Sequence, residues 1–398
     1  MEGVAEAAGR HPARILLATL PLQFAFGLVY CWGALAPYVA RSDHWPTLLL
    51  SAVFSATPVG YGTGIVVGGR LADRVPPRRL CWAGIGLLAV GAGIALAAPS
   101  GLLFVLLYSM LGLGLGGGLA LAGSMAAARH AMPDRLGTAS GLVTGAYAVA
   151  APIQVPVISL LAADLGWLTA LRLMGGTMLA LAVVLLATMP AVPRPRHAGG
   201  QARRHPSIAS LLSRPRLLTA LFLEVAGTPL GAYAFVNAAA YARDLRFVAL
   251  LATAAITAVA VGNAAGRIVG GAASDRAGVD RVFLVSLLLS LVAASLLALH
   301  PTAVGVVVGA MLAGAGFGVP AGVIGRLAED SAPDAPNSAF GLIFTGFAAG
   351  AGGGSLLGAA IGGPLSYLVL GLPSIGGLAI LLIRGRLRGG LRRDLESA

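Results

Sequence analysis

The chain has 398 residues, 57% of them hydrophobic and only 11% charged, with a mean hydropathy of +0.87 and a formal net charge of +12. A soluble protein of this length needs far more charge to cover its surface, so composition argues against a soluble enzyme. The positive charge is not a nucleic-acid footprint either: all 27 basic residues are Arg, gathered in short clusters between apolar runs, the pattern of cytoplasmic loops.

A polar N-terminal tail, residues 1–14, leads into an apolar run too long for the core of a cleavable signal peptide, and that run reads as a first, uncleaved span. A crossing helix needs ~20 apolar residues at ~1.5 Å rise each. Such runs occupy 15–40, 47–69, 80–97, 102–128, 137–161, 168–190, 217–241, 247–271, 282–299, 302–325, 338–361 and 365–383. The fold expected is therefore an all-α membrane protein of twelve transmembrane helices. Residues 193–216, rich in Pro, Gly and Arg, read as a flexible cytoplasmic linker between six-helix bundles at 15–192 and 217–384, with a cytoplasmic tail at 385–398.

Orientation follows from the Arg residues. With both termini in the cytoplasm, 22 of the 27 lie in cytoplasmic segments and four (Arg41, Arg172, Arg243 and Arg246) lie outside. Only Arg267 falls inside a span. The absence of Lys beside abundant Arg, Ala and Gly reads as a GC-rich bacterial source, which places the chain in a bacterial inner membrane. The 57 Gly suit close helix packing in lipid. Cys31 and Cys81 sit in apolar runs without metal spacing and read as small apolar residues.

The two halves repeat. Gly69-Arg70-Leu71-Ala72-Asp73-Arg74 matches Gly271-Ala272-Ala273-Ser274-Asp275-Arg276, an offset of 275 − 73 = 202. Pro133-Asp134 with Ala139 and Gly141 matches Pro333-Asp334 with Ala339 and Gly341, an offset of 200, and Gln23 matches Glu224, an offset of 201. Three anchors at nearly one offset imply two homologous, pseudo-symmetric six-helix bundles with a site between them.

The Gly-x-Leu-Ala-Asp-Arg segment, followed by Arg78 and Arg79, resembles the signature loop between the second and third helices of the major facilitator superfamily, and its echo falls where that family expects one. Pro76-Pro77 depart from the usual glycine and basic residue. Gly27-Leu28-Val29-Tyr30-Cys31-Trp32-Gly33, Pro133 to Gly141, Gly262-Asn263-Ala264-Ala265-Gly266-Arg267 and Phe340-Gly341-Leu342-Ile343-Phe344-Thr345 resemble segments of the oxalate/formate antiporter and monocarboxylate transporter branch. The resemblance implies a secondary carrier working by alternating access, with proton symport or anion exchange. It also implies that Arg267 holds the substrate carboxylate. Oxalate transporters carry a Lys just after the last segment; this chain has Gly346-Phe347-Ala348, which turns the expectation from a dianion towards a monocarboxylate.

Arg267 lies 8 residues before Asp275, roughly 12 Å into the bilayer. An Arg at that depth needs a partner or a wet cavity, and its planar fork suits bidentate capture of a carboxylate; the other reading is an Arg that snorkels and fixes packing. Asn263, one turn earlier on the same face, could add a neutral donor. Glu224 is the only acid well inside a span, at a depth similar to Arg267, and is the candidate for proton coupling; a permanently paired structural Glu is the alternative. Tyr30, two helical turns from Gln23, and Tyr147 are candidate hydroxyl donors to the anion, or aromatics that pack. Asp73, Arg74, Asp275 and Arg276 stand at helix ends, where the family resemblance implies a conformational gate rather than a substrate site.

Gly112-Leu113-Gly114-Leu115-Gly116-Gly117 fits the spacing of a dinucleotide-binding turn but has no strand before it, so helix packing explains it better. The His residues show no ligand or triad spacing. No cofactor or metal is expected, and no enzymatic activity. The partners expected are a small organic anion, protons and the lipid bilayer, for a chain acting as a monomer. A drug or metabolite exporter of the same fold, or a non-transporting carboxylate sensor, are the competing functions.

Overall fold

The computed structural model describes residues 12–192 and 206–396, with side chains left undescribed at Thr47, Phe54 and 385–396. Arg194, Arg196, Arg203 and Arg204 of the expected linker and the first part of the N-terminal tail lie outside the described residues. Among the described residues, twelve helices are long and apolar enough to cross a membrane. In chain order they are α1 (Pro12–Ser42), α2 (Leu48–Ala72), α3 (Pro77–Ala97), α4 (Gly101–Ala131), α5 (Leu136–Leu165), α6 (Trp167–Ala187), α7 (Pro215–Asp244), α8 (Ala249–Ala277), α9 (Val279–Leu299), α10 (Ala303–Ser331), α11 (Pro336–Ile361) and α12 (Gly363–Arg384). Each agrees with an expected apolar run to within a turn or two. Helix satisfies every backbone group internally, which is why sequences this apolar fold this way in lipid.

The chain forms two compact units. The first holds the residues up to Leu218 together with Ile324–Thr345, the end of α10 and the start of α11. The second holds Thr219–Val323 and the residues from Gly346 onward. In the first unit, one apolar cluster runs from Ile15, Leu22 and Phe26 on α1 through Cys31, Cys81 and Leu113 to Trp167 and Leu186 on α6. At one end of this unit, Trp32, Trp45, Phe104 and Trp167 form an aromatic cluster, with the centroids of neighbouring rings 5.3–6.3 Å apart. Both buried indoles are satisfied: Trp32 Nε1 donates to the Leu50 carbonyl (2.8 Å) and Trp167 Nε1 to Asp43 Oδ2 (2.6 Å). In the second unit the corresponding cluster is built from Leu230, Tyr233, Tyr241, Val259 and Tyr367, and Tyr241 donates to the Leu297 carbonyl at 2.5 Å.

Glycine decides how closely helices meet. α2 touches α4 through Gly60, Gly64 and Gly68, where a Cβ would stand 2.1 Å from the Met110 carbonyl, 2.4 Å from that of Leu115 and 2.8 Å from Ala122 Cβ. The same contact recurs between α8 and α10 at Gly262, Gly266 and Gly270, an offset of 262 − 60 = 202. Gly112 and Gly116 of the rejected dinucleotide pattern sit in a π-helical stretch, Phe104–Gly116, and pack on Leu88 and Gly84 of α3.

Two helices are interrupted at matching places. In α1, residues Gly27–Cys31 tighten into a 3-10 turn, and Gln154 Nε2 of α5 donates to the Phe24 carbonyl just before it (2.7 Å). In α7, helix Pro215–Gly227 stops at Thr228 and restarts at Pro229. Proline lacks the N–H that the Val225 carbonyl would need, so the ladder breaks there. The interruptions fall at 27 and 228, an offset of 201. Elsewhere, single glycines in left-handed backbone join neighbours: Gly166 (φ 77°) joins α5 to α6, and Gly278 (φ 84°) joins α8 to α9.

Candidate functional site

Arg267 and Glu224 both belong to the second unit, and both are buried, at 6% and 0% exposure. On α8, Arg267 Nε donates to Asn263 Oδ1 at 3.1 Å, the i, i+4 contact that helix geometry allows. That bond occupies the inner side of the guanidinium. Glu224 sits one turn before the break in α7. Among the described residues its two carboxylate oxygens accept no hydrogen bond, while Arg267 acts on it electrostatically. The break is braced: Thr228 Oγ1 donates to the Glu224 carbonyl (2.8 Å) and reaches the Phe347 carbonyl of α11 (3.4 Å). α11 comes close here because Gly346 has no side chain; a Cβ there would lie 2.7 Å from the Leu221 carbonyl and 3.3 Å from Glu224 Cβ. A buried carboxylate without hydrogen bonds is costly unless a nearby cation balances it or a proton neutralises it. This cluster can therefore hold one mobile negative charge or one proton.

The first unit carries no such charges at the equivalent positions. Gln23 stands where the second unit has Glu224, Tyr61 where it has Asn263, and Ile65 where it has Arg267 (267 − 65 = 202). Gln23 is buried, and its Nε2 donates to Ser124 Oγ at 3.0 Å. Tyr30 and Tyr147 meet edge to face with centroids 5.4 Å apart. Tyr61 extends the pair, 5.6 Å from Tyr147 and 5.9 Å from Phe344. All three tyrosines are half-buried. Tyr61 was not singled out from the sequence; the signal that could have found it is its place 202 residues before Asn263. Tyr30 does not keep the helical face expected of it. Each residue of the 3-10 turn advances by about 120° rather than 100°, which rotates Tyr30 by roughly 60° away from Gln23.

The expected gate residues divide. Asp73, the C-cap of α2, accepts from Asn337 Nδ2 (2.9 Å) and Ser338 Oγ (2.6 Å) at the start of α11. Arg129 of α4 donates to Asn337 Oδ1 (3.0 Å) and pairs with Glu329 (3.4 Å), and Ser140 Oγ accepts from the Gly325 amide (3.1 Å). Gly69, beside the signature Asp, lets the Asn337 carbonyl approach to where a Cβ would be 2.4 Å away. Arg129, Glu329 and Asn337 were not named as site residues from the sequence, where nothing marks them as partners across 200 positions or more. Arg74 and Arg276 are exposed, and Asp275 is half-buried near the end of α8. Nearby, the short helix Ile208–Leu212 is tied at its start by Arg70, which donates to the Pro206 carbonyl (3.2 Å), and beyond its end by Arg214, which grips Asp334 with two bonds. That carboxylate holds the Arg214 proton more tightly than usual. Among the described residues, no group of three or more His, Cys, Asp or Glu could hold a metal ion.

Comparison with known proteins gives this arrangement a lineage. A family model described as Major Facilitator Superfamily matches residues 15–239 and, a second time, 225–395. An uncharacterized MFS-type transporter of Escherichia coli strain K12, YhjX, is 25% identical over 294 residues, 72% of each chain. A crystal structure of the transporter FucP in the outward conformation superposes with a TM-score of 0.69 at 15% identity, covering 93% of this chain and 97% of that one. A second crystal structure, of the E. coli fucose:proton symporter, gives the same score over 94% and 98%. At 15% identity these structures speak for the fold alone. With twelve crossing helices, a signature loop that recurs in the second half and family matches over both halves, the chain belongs to the Major Facilitator Superfamily.

Proposed function

We propose that this transporter moves a small organic anion, a monocarboxylate, by alternating access, with proton symport or anion exchange. The observation that carries the reading is the buried Arg267, held at its Nε by Asn263 in the same unit as a buried carboxyl, Glu224, that accepts no hydrogen bond from the described residues. A guanidinium fork matches the two oxygens of a carboxylate, and the match is strongest away from water. Glu224 is the proposed proton carrier: an arriving anion competes for Arg267, and the carboxyl is then better neutralised by a proton. Tyr30 and Tyr147 are proposed as hydroxyl donors that the anion meets along its path. Asp73 is proposed as the latch of a conformational gate, with Asn337, Ser338 and Arg129 as its counterparts, and Arg74, Asp275 and Arg276 as charges that complete that face. The Arg distribution supports both termini in the cytoplasm of a bacterial inner membrane.

The test is a binding screen of the purified protein against formate, lactate, oxalate, fucose and hydrophobic cations, followed by uptake into proteoliposomes. Stabilisation and uptake are expected for a monocarboxylate. Arg267→Lys keeps a charge but loses the fork, so uptake should fall sharply while the protein still folds. Wild-type uptake by Arg267→Ala would remove this residue from the site and the anion reading with it.

A further inference from the structure

The glycine ladder between α8 and α10 reaches one turn further than its twin, and that turn carries the arginine. In the first unit the α4 side of the ladder is Gly114, Gly118 and then Ala122. In the second unit the α10 side is Gly314, Gly318 and then Gly322, an offset of 200 at each step. A Cβ on Gly314 would stand 2.1 Å from the Val259 carbonyl, and one on Gly318 would stand 2.2 Å from the Asn263 carbonyl. On Gly322 it would stand 2.3 Å from the Arg267 carbonyl and 2.8 Å from Arg267 Cα. α10 thus presses backbone to backbone on the residues that hold the guanidinium. The twin site has Ile65 in place of Arg267 and accepts a methyl at Ala122.

We infer that Gly322 and Asn263 are positioning residues for Arg267: Gly322 fixes where its backbone sits, and Asn263 fixes which edge of its fork is presented. The inference rests on Arg267 as the anion-binding residue. Arg is a long side chain with several rotatable bonds, so a buried Arg binds a planar anion well only if its base is fixed. The packing of α10 fixes Cα, and the 3.1 Å bond from Nε to Asn263 Oδ1 restrains the plane of the guanidinium. Asn263 is then a support of the arginine rather than a direct contact of the anion. The small-residue contact is a means of close approach in many membrane helices; here its third step coincides with the buried Arg267.

The experiment compares Gly322→Ala with Gly314→Ala, using L-lactate uptake into proteoliposomes and the melting midpoint of the purified protein. The two changes meet a carbonyl at nearly the same distance, 2.3 and 2.1 Å, so their structural cost is matched. Displacing a binding group by a fraction of an ångström to 1 Å costs about 10- to 100-fold. Gly322→Ala should therefore raise the KM for lactate at least about 10-fold with kcat changed much less, while Gly314→Ala stays within about twofold at a similar melting point. Asn263→Leu keeps the volume and removes the acceptor, so its KM should also rise; it carries the test if Gly322→Ala does not fold. Equal KM changes for Gly322→Ala and Gly314→Ala, or a normal KM for Asn263→Leu, would overturn the positioning role. Lactate uptake by Arg267→Ala at the normal rate, or no lactate uptake by the unaltered protein, would instead overturn the reading of the site beneath it.

Discussion

Replacing Asp73 by Ala should release the start of α11 from α2. The carboxylate accepts two side-chain hydrogen bonds, at 2.9 Å from Asn337 and 2.6 Å from Ser338, and those donors are only 6% and 8% exposed. A hydrogen bond to a charged group contributes about 1.5–3 kcal/mol. Asp73 is half-buried, so water replaces part of each bond and the lower figure applies, giving about 3 kcal/mol for the pair. At 1.4 kcal/mol per factor of ten, local opening of this contact becomes roughly 100-fold more frequent. Hydrogen–deuterium exchange of the amides from 336 to 341 reads that opening directly. Asp73→Asn keeps one acceptor oxygen without the charge and should give an intermediate rate. Arg129→Ala acts on the same Asn337, so the double variant should fall short of the product of the two effects. Exchange within about twofold of the unaltered protein in Asp73→Ala would refute the latch, because a contact worth about 3 kcal/mol cannot vanish without trace.

Four further outcomes follow from the same structure. Glu224→Gln should abolish uptake driven by a proton gradient while leaving exchange of labelled for unlabelled anion; gradient-driven accumulation at the normal level would reject Glu224 as the proton carrier. Trp167→Phe keeps the ring stack but loses the 2.6 Å bond to Asp43, and should lower detergent stability by about 1–2 kcal/mol; an unshifted melting midpoint would show the bond to be idle. Arg214→Ala should cost less than about 1 kcal/mol and nothing in high salt, because both partners are substantially exposed, at 30% and 43%. The Arg214 proton is held more tightly in the folded state, so its contribution is complete at neutral pH and lost only in strong alkali; a loss of this contribution between pH 7 and 9 would contradict the assignment. Ser42→Cys, exposed at the end of α1, should react with an impermeant thiol reagent added outside intact cells, and labelling only after lysis would invert the topology.

Apolar run length was enough to find all twelve helices, because lipid leaves the backbone no alternative. It was blind to the interruptions. Pro229 and Gly27 stand in plain view, yet a run count treats them as ordinary residues, and only the structure shows the ladder breaking four residues after both Gln23 and Glu224. Arg267, Asn263 and Glu224 were legible because polar groups at that depth are conspicuous. Asn337, Glu329 and Arg129 were not, since polar residues near helix ends are common and nothing in the sequence says which of them meet. The glycine ladders lay in between. The fourfold spacing of Gly262, Gly266 and Gly270 is visible in the sequence, but its partner helix and the arginine it supports are facts of packing.

Gly166 and Gly278 carry a consequence for biosynthesis. Each joins two crossing helices with a single residue, and a single residue spans at most about 3.6 Å, far too short to reach across a headgroup layer. The start of α6 therefore lies directly beside the end of α5, and the start of α9 beside the end of α8. Each pair is thus set to fold back on itself at the glycine as soon as both of its arms are made. A bulkier residue at either joint would burden the moment of insertion, when the two arms have only each other, more than it would burden the finished protein. Its signature would be a fall in the amount of protein that reaches the membrane, with the molecules that do arrive melting and transporting normally.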